Sequence, residues 1–260
     1  MTRKEAIIAR RAVRTYTTEP LKDIVLSDLR SFIGTVKPLH SSIKTNISIL
    51  SREDFARNFS TFFVPNAQHY IVIRSVKKDG YLENAGFIGE QIVLYLTEHD
   101  IGTCWLGSAR PKDKDESGKL PYVITICFGR SDNAPRRGSA GDANRKLTYE
   151  IVMGSLGHPS LLPLLDAGRL APSAMNLQPV RYITEGRNIF VYRKRPLFSI
   201  AMLEEVQCID VGIAMANIYI ESDCTRIFVR EKNYPTPQGN CVYEYTCMEQ
   251  LGDGFSDTEE

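Results

Sequence analysis

The chain has 260 residues, with 32 Lys and Arg against 31 Asp and Glu and a formal net charge of +1. A general nucleic-acid binder carries a clustered positive excess, because phosphate neutralisation supplies most of its affinity, and so even a balance excludes that overall excess. Hydrophobic residues at 43% and charged residues at 24% describe a globular chain with a real core, not a disordered one.

After Met1-Thr2-Arg3-Lys4-Glu5 comes only a short apolar patch, Ala6 to Ala9, which lacks the apolar region of a secretory signal. No uncharged run approaches the roughly 20 residues of a membrane-spanning helix. A cytoplasmic protein without membrane partners is expected. Cys104, Cys127, Cys208, Cys224, Cys241 and Cys247 show neither C-x-x-C nor zinc-site spacing, so free or buried thiols are expected and no metal.

In chain order, Thr2-x-x-Glu5 is a capping box that predicts a helix ending near Arg10. Leu29, Phe32, Ile33 and Val36 lie at helical spacing and predict a second helix from Ser27. His69 to Val76 predicts a strand, Asn84 to His99 a mostly apolar and hence buried helix with Gly102 as its cap, and Tyr122 to Phe128 another strand. Lys112 to Lys119 and Ser131 to Asn144 have the composition of exposed loops.

From about Pro159 a similar order returns: a helix over Ser160 to Leu170, short strands at Tyr182 to Ile183 and Ile189 to Tyr192, an apolar helix over Glu205 to Glu221, and a closing strand at Arg226 to Arg230. Residues 27–46 align with 161–179, and 86–106 with 208–228, at low identity. The pattern predicts an α+β fold, a mixed sheet flanked by helices, with an internal duplication. Residues 1–150 form one half, 151–250 a second half packed on it, and 251–260 an acidic, frayed tail. The alternative is an ordinary α+β domain whose order repeats by coincidence.

Three segments carry chemistry. Arg10, Arg11 and Arg14 put three guanidinium groups within five residues, and in an extended segment Arg10, Ala12 and Arg14 face one side. Solvated arginine runs are the plainer alternative. Ala171 to Pro179 is a proline-bounded loop in which Ser173, Asn176 and Gln178 offer donors and acceptors to a heteroaromatic edge, or satisfy their own backbone in a turn. Gly102 to Gly107 flanks the chain's single tryptophan with glycines that permit close approach to a planar ring, or simply holds a core Trp105 between turns.

Together these segments resemble the nitroreductase family of FMN-dependent oxidoreductases. R-R-A-V-R-T-Y at Arg10 to Tyr16, A-P-S-A-M-N-L-Q-P at Ala171 to Pro179, and G-T-C-W-L-G at Gly102 to Gly107 match its motifs. The resemblance implies FMN bound between two subunits. Arg10, Arg11, Ala12 and Arg14 would hold the phosphate and pyrimidine edge. Pro172, Ser173, Ala174, Asn176 and Gln178 would reach the flavin from the opposite half, with Trp105, Leu106 and Gly107 along its ring. Arg145 or Lys146 would complete the phosphate site.

The motif order differs from the family's, since A-P-S-x-x-N-x-Q-P stands in the second half. Lys37 to Asn46 looks like a decayed copy at the expected place, so the resemblance implies a monomer acting as a pseudo-dimer with one intact site. Ala12 replaces the usual serine, and Val180 the usual tryptophan.

The activity implied is ping-pong transfer of hydride from NADH or NADPH, through the flavin, to a small acceptor such as a nitroaromatic or quinone. No acid, base or nucleophile is required of the protein. Phe55, Phe59, Phe62 and Phe63 would line the acceptor pocket or form core. A non-catalytic FMN- or small-ligand-binding protein is the alternative. A nucleic-acid or anionic-surface binder using Arg136, Arg137, Arg145 and Lys146 is a third reading.

Overall fold

The computed structural model describes residues 1–62, 66–113, 120–132, 135–196 and 201–250. The chain forms α1 (Arg3–Ala9), α2 (Asp23–Ile33), β1 (Thr45–Ser51), α3 (Arg52–Asn58), β2 (Phe59–Ser60), β3 (His69–Ser75), α4 (Tyr81–Glu98), β4 (Gly102–Leu106), β5 (Arg110–Pro111), β6 (Tyr122–Gly129) and α5 (Thr148–Ile151). There follow α6 (Leu162–Leu170), β7 (Val180–Glu185), β8 (Asn188–Lys194), α7 (Ala201–Glu221), β9 (Arg226–Val229) and β10 (Cys241–Glu249). The α+β class is as expected.

Local chemistry sets several boundaries. The Thr2 hydroxyl accepts the Glu5 N–H and the Glu5 carboxylate accepts the Thr2 N–H, closing the capping box of α1. α2 begins at Asp23, four residues before the predicted Ser27, because Val25 and Leu26 add an apolar turn packed on the core.

Gly102 does not cap α4. The helix ends at Glu98 with His99 as its cap, Asp100 takes the left-handed turn at φ 60°, and Gly102 opens β4. A β-carbon there would meet the Val13 side chain at 2.8 Å, so the glycine serves to admit the segment after α1 alongside β4.

Two four-stranded sheets hold the core, in the orders β1-β3-β6-β4 and β7-β8-β10-β9, with every pairing within them antiparallel. In both, the strands run first, second, fourth, third in chain order. Two single-residue bridges are parallel, Ala12 to Thr103 and Val152 to Tyr182. The second ties the chain near the predicted boundary at 150 to the edge of the second sheet.

Three of the longer strands escaped the sequence reading, β1 and β4 at the edges of the first sheet and β10 inside the second. β1 is partly buried along most of its length, and β10 places Glu244 inside, where Arg193 neutralises it at 2.8 Å.

The long helices α4 and α7 pack between the sheets, and the core around them draws Ile88, Ile92 and Leu96 from one and Ile209, Ile213 and Ala214 from the other. Their backbones meet at two glycines. A β-carbon on Gly86 would overlap the Ile209 carbonyl, and one on Gly212 would overlap that of Glu83. These reciprocal contacts make Gly212 the counterpart of Gly86, four residues beyond the Cys208 of the sequence alignment.

A second reciprocal contact caps the loops that follow α2 and α6. Asn84 Oδ1 accepts the His40 N–H at 3.0 Å, and Asp210 Oδ1 accepts the Ala174 N–H at 3.1 Å.

Gly86→Ala or Gly212→Ala must therefore push the helices apart, at a cost of about 3 kcal/mol or more. The thermal midpoint should fall by roughly 6–12 °C. Gly141→Ala, whose β-carbon would make only an ordinary 3.5 Å contact, should change it by under about 2 °C.

Burial pushes the Asp210 carboxyl up to about 8. The folded protein thus retains a proton that the unfolded chain releases near a pH of about 4, and the associated stability is lost as pH rises toward about 8. Asp210→Asn, which copies Asn84, should match the parent near a pH of about 4 and melt progressively higher than it toward about 8. A thermal-melt series across pH checks this, and parallel curves would contradict it.

Candidate functional site

Three segments converge on one cleft of about 760 Å³. The first leaves α1 at Arg10 and runs extended beside β4, where the Val13 N–H donates to the Thr103 carbonyl at 2.8 Å. Tyr16 Oη donates to the Val13 carbonyl at 2.7 Å and fixes the far end. Arg10, Arg11, Ala12 and Arg14 all line the cleft.

The opposite wall is the loop after α6, from which Pro172, Ser173, Met175 and Asn176 face the same space. Its backbone is unusual: Met175, Asn176 and Gln178 have φ of 50°, 57° and 49°, left-handed values that cost a non-glycine residue roughly 1–2 kcal/mol each. Asp210 holds the Ala174 N–H from behind, and the Ser173 hydroxyl accepts the Gln178 N–H at 2.9 Å.

The third wall is the connection from β6 to α5. The Arg137 N–H donates to the Ala9 carbonyl at 2.6 Å, which docks this wall on the end of α1. Arg145 donates through Nε to the Ala171 carbonyl at 3.0 Å and through Nη1 to Asn176 Oδ1, which joins the third wall to the second. Asn176 Nδ2 donates in turn to the Asn144 carbonyl.

Six arginines thus line the cleft: Arg10, Arg11, Arg14, Arg136, Arg137 and Arg145. Among the described residues, Asp142 is the one acidic lining residue. Arg136 and Arg137, read in the sequence only as an anionic-surface feature, belong to this site. So does Glu90, which the sequence reading passed over as part of an apolar helix.

Glu90 is fully buried on α4, with Oε2 accepting the Trp105 indole N–H at 3.1 Å and Oε1 standing 3.8 Å from Arg10 Nε. Gly89 makes room for the indole, since a β-carbon there would overlap the Trp105 ring. Desolvation pushes the Glu90 carboxyl up to about 7 against the pull of Arg10. Burial, reinforced by the neighbouring Arg10 charge, lowers the Arg137 guanidinium to about 9 and that of Arg145 to about 10. Arg137 Nε is also buried without a hydrogen-bond partner. Partly desolvated cations crowded together in this way favour an anion, and a phosphate monoester supplies between one and two charges with several acceptor oxygens.

Other sequence-predicted residues lie beside the cleft. The Leu106 side chain is core. Gly107 lines a separate depression of about 360 Å³ with Leu82, Ile124 and Ile209. Lys146 and Gln178 line another of about 360 Å³, where the Lys146 N–H donates to Gln178 Oε1 at 2.7 Å. Ala174 contributes its backbone to Asp210.

Phe55 and Phe59 are buried, with the Phe55 ring stacked 3.8 Å from Tyr70. Phe62 is exposed, and Phe63 lies outside the described residues. The six cysteines are free thiols, and among the described residues no cluster suits a metal ion and no helix is long and apolar enough to cross a membrane.

A protein-family model described as "Putative TM nitroreductase" matches residues 2–222. Among solved structures, a "putative nitroreductase" from Thermotoga maritima aligns with a TM-score of 0.67 at 22% identity, covering 96% of this chain and 95% of that one. A nitroreductase family protein from Clostridium difficile aligns at a TM-score of 0.46 and 14% identity, covering 59% of this chain and 97% of that one. A protein from the same species named as an FMN-dependent nitroreductase aligns at 0.42 and 18% identity, covering 56% and 95%. No curated protein matches the chain. With the arginine segment and the Ala171–Pro179 loop both inside the matched stretch, the chain belongs to this nitroreductase family.

Proposed function

We propose that this family member, an oxidoreductase, binds FMN in the arginine-lined cleft and passes reducing equivalents from a reduced nicotinamide to a small acceptor such as a nitroaromatic or quinone. One observation carries the reading: Arg145 donates to Asn176 of the motif loop, 31 residues further along the chain, in a cleft that Arg10, Arg11 and Arg14 also line, so three separate segments build one anion site. The donor set fits FMN at its phosphate end. Arg10, Arg137 and Arg145 would hold the phosphate, and Arg14 the pyrimidine edge. The Pro172–Asn176 loop would cover the flavin from the other side.

The flavin, when bound, supplies the two-electron chemistry, and the protein's task is to bind, orient and tune it. Arg14 at the pyrimidine edge would stabilise negative charge there by preorganised electrostatics. The left-handed loop would exclude water from one face of the bound flavin. Trp105, held by Glu90, sets the position of β4 against the arginine segment.

In the same reading, residues 1–150 and 151–250 are duplicated halves and the chain acts as a monomer with one site. The shared strand order and the reciprocal Asn84 and Asp210 contacts support it. The counterpart loop at Lys37–Asn46 is closed by its own neighbours. His40 Nε2 lies 2.8 Å from Tyr245 Oη, and Arg230 pairs with Asp79 and Glu83 while lying over the Tyr245 ring.

Purified protein should be yellow, with one FMN per chain, and NADH or NADPH should bleach it without oxygen. Colourless protein that takes up no added FMN would refute the assignment, and bound FMN that no nicotinamide reduces would favour a non-catalytic flavin binder. Arg145→Ala and Asn176→Ala each remove a charge-assisted contact and should weaken FMN binding about ten- to hundredfold. Ser42→Ala and Asn46→Ala, in the closed counterpart loop, should leave the dissociation constant within about twofold.

A further inference from the structure

Glu90 acts on Arg10, Arg137 and Arg145 together, while Asp142 faces Arg137 from the cleft wall and Asp100 pairs Arg136. Its carboxylate is fully buried, and Oε1 has no hydrogen-bond partner although it faces Arg10 Nε at 3.8 Å. The charged and polar groups around it come from every element packed there. Arg10 enters from the segment after α1, Trp105 from β4, and Arg137 and Arg145 from the connection between β6 and α5. Asp210 of α7 acts on Arg145 from behind, while Arg14 and the Cys104 thiol of β4 act on Arg10.

Resting on the FMN reading above, we propose that Glu90 is a positioning residue whose role as counter-charge to Arg10 is handed over to the cofactor phosphate. When the phosphate docks on Arg10, Arg137 and Arg145, Glu90 Oε1 takes up one proton from solvent.

The geometry provides for both ends of this exchange. In the free protein an ionised Glu90 offsets three desolvated guanidinium groups, and its bond to the Trp105 indole holds Arg10 and β4 in register. A docked phosphate places a second anion on the same cations, and like charges at that range in a dry site oppose one another. Oε1 can accept a proton without breaking a hydrogen bond, and Oε2 keeps the indole. The free carboxyl already stands at about 7, and the added anion raises it further, so that the complex keeps the proton at a pH where the free protein releases it.

The sign follows from linkage. At a pH of about 8 the FMN phosphate, whose second ionisation lies near 6, is already a dianion and exchanges no proton on binding. Glu90 is then mostly ionised in the free protein and protonated in the complex. Affinity for FMN should therefore rise as pH falls from about 8 toward 7, by up to about tenfold per pH unit, and level off below.

The test is isothermal titration of the full chain with FMN at a pH of about 8, in two buffers of different ionisation enthalpy, with riboflavin as the probe that lacks the phosphate. The parent protein should take up close to one proton with FMN and none with riboflavin. Glu90→Gln should take up about one proton fewer than the parent and bind FMN up to about tenfold more tightly at that pH, with a weaker pH dependence between about 7 and 8.

FMN binding by the parent without proton uptake overturns the proposal and leaves the FMN reading standing, and this measurement needs no variant to fold. Equal uptake in the parent and in Glu90→Gln also overturns it, by assigning the proton elsewhere. If the parent binds no FMN at all, the functional reading fails and this inference fails with it.

Discussion

The backbone contact of α4 with α7 at Gly86 and Gly212 is the constraint on which the site depends. The arginine segment hangs from α1 and β4, while the proline-bounded loop is held by Asp210 of α7. No single segment supplies every wall. Only helices close enough to touch carbonyl to glycine bring the walls within reach of one ligand, and the cluster of isoleucines around that contact stabilises the approach. A methyl group at either glycine would act on the cleft as much as on the core.

Charge is arranged with the same economy. The chain is nearly neutral overall, yet among the described residues six arginines line one cleft against a single lining acid. That concentration is tolerable because Glu90 sits beneath it, Asp100 pairs Arg136 at 2.6 Å, and the Ala171, Ala143 and Ile7 carbonyls accept from Arg145 and Arg137. Away from the cleft, Arg230 is satisfied in the same way by Asp79 and Glu83.

Much of this was legible in the sequence. The capping box at Thr2, the two apolar helices and the strands beginning at His69 and Tyr122 follow from local chemistry and periodicity, and residues of the two main motifs meet across the cleft. What escaped has a physical pattern. β1 and β10 are strands whose alternation is blurred by polar residues that tertiary partners satisfy, as Arg193 does for Glu244. Gly102 was misassigned because Asp100 can take the left-handed turn that usually marks a glycine cap. Glu90 looked like a lone polar residue in a greasy helix, and nothing local reveals that three arginines from distant segments converge on it. Arg136 and Arg137 were visible as charge, but only the hydrogen bond from the Arg137 N–H to Ala9 shows which surface they serve.

The three left-handed residues of the motif loop bear on how such a cleft can change over time. Asn enters that backbone region readily, whereas Met and Gln do so only under duress from their surroundings. The conformation is therefore a property of the whole segment and its anchor at Asp210, and single exchanges there would tend to release the backbone instead of offering a new contact. The two opposing walls are built from ordinary extended chain and connecting loop, where side chains can be exchanged without disturbing the main chain. Divergence toward new ligands would accumulate on those walls, while the proline-bounded loop stays as the fixed jaw against which they are varied.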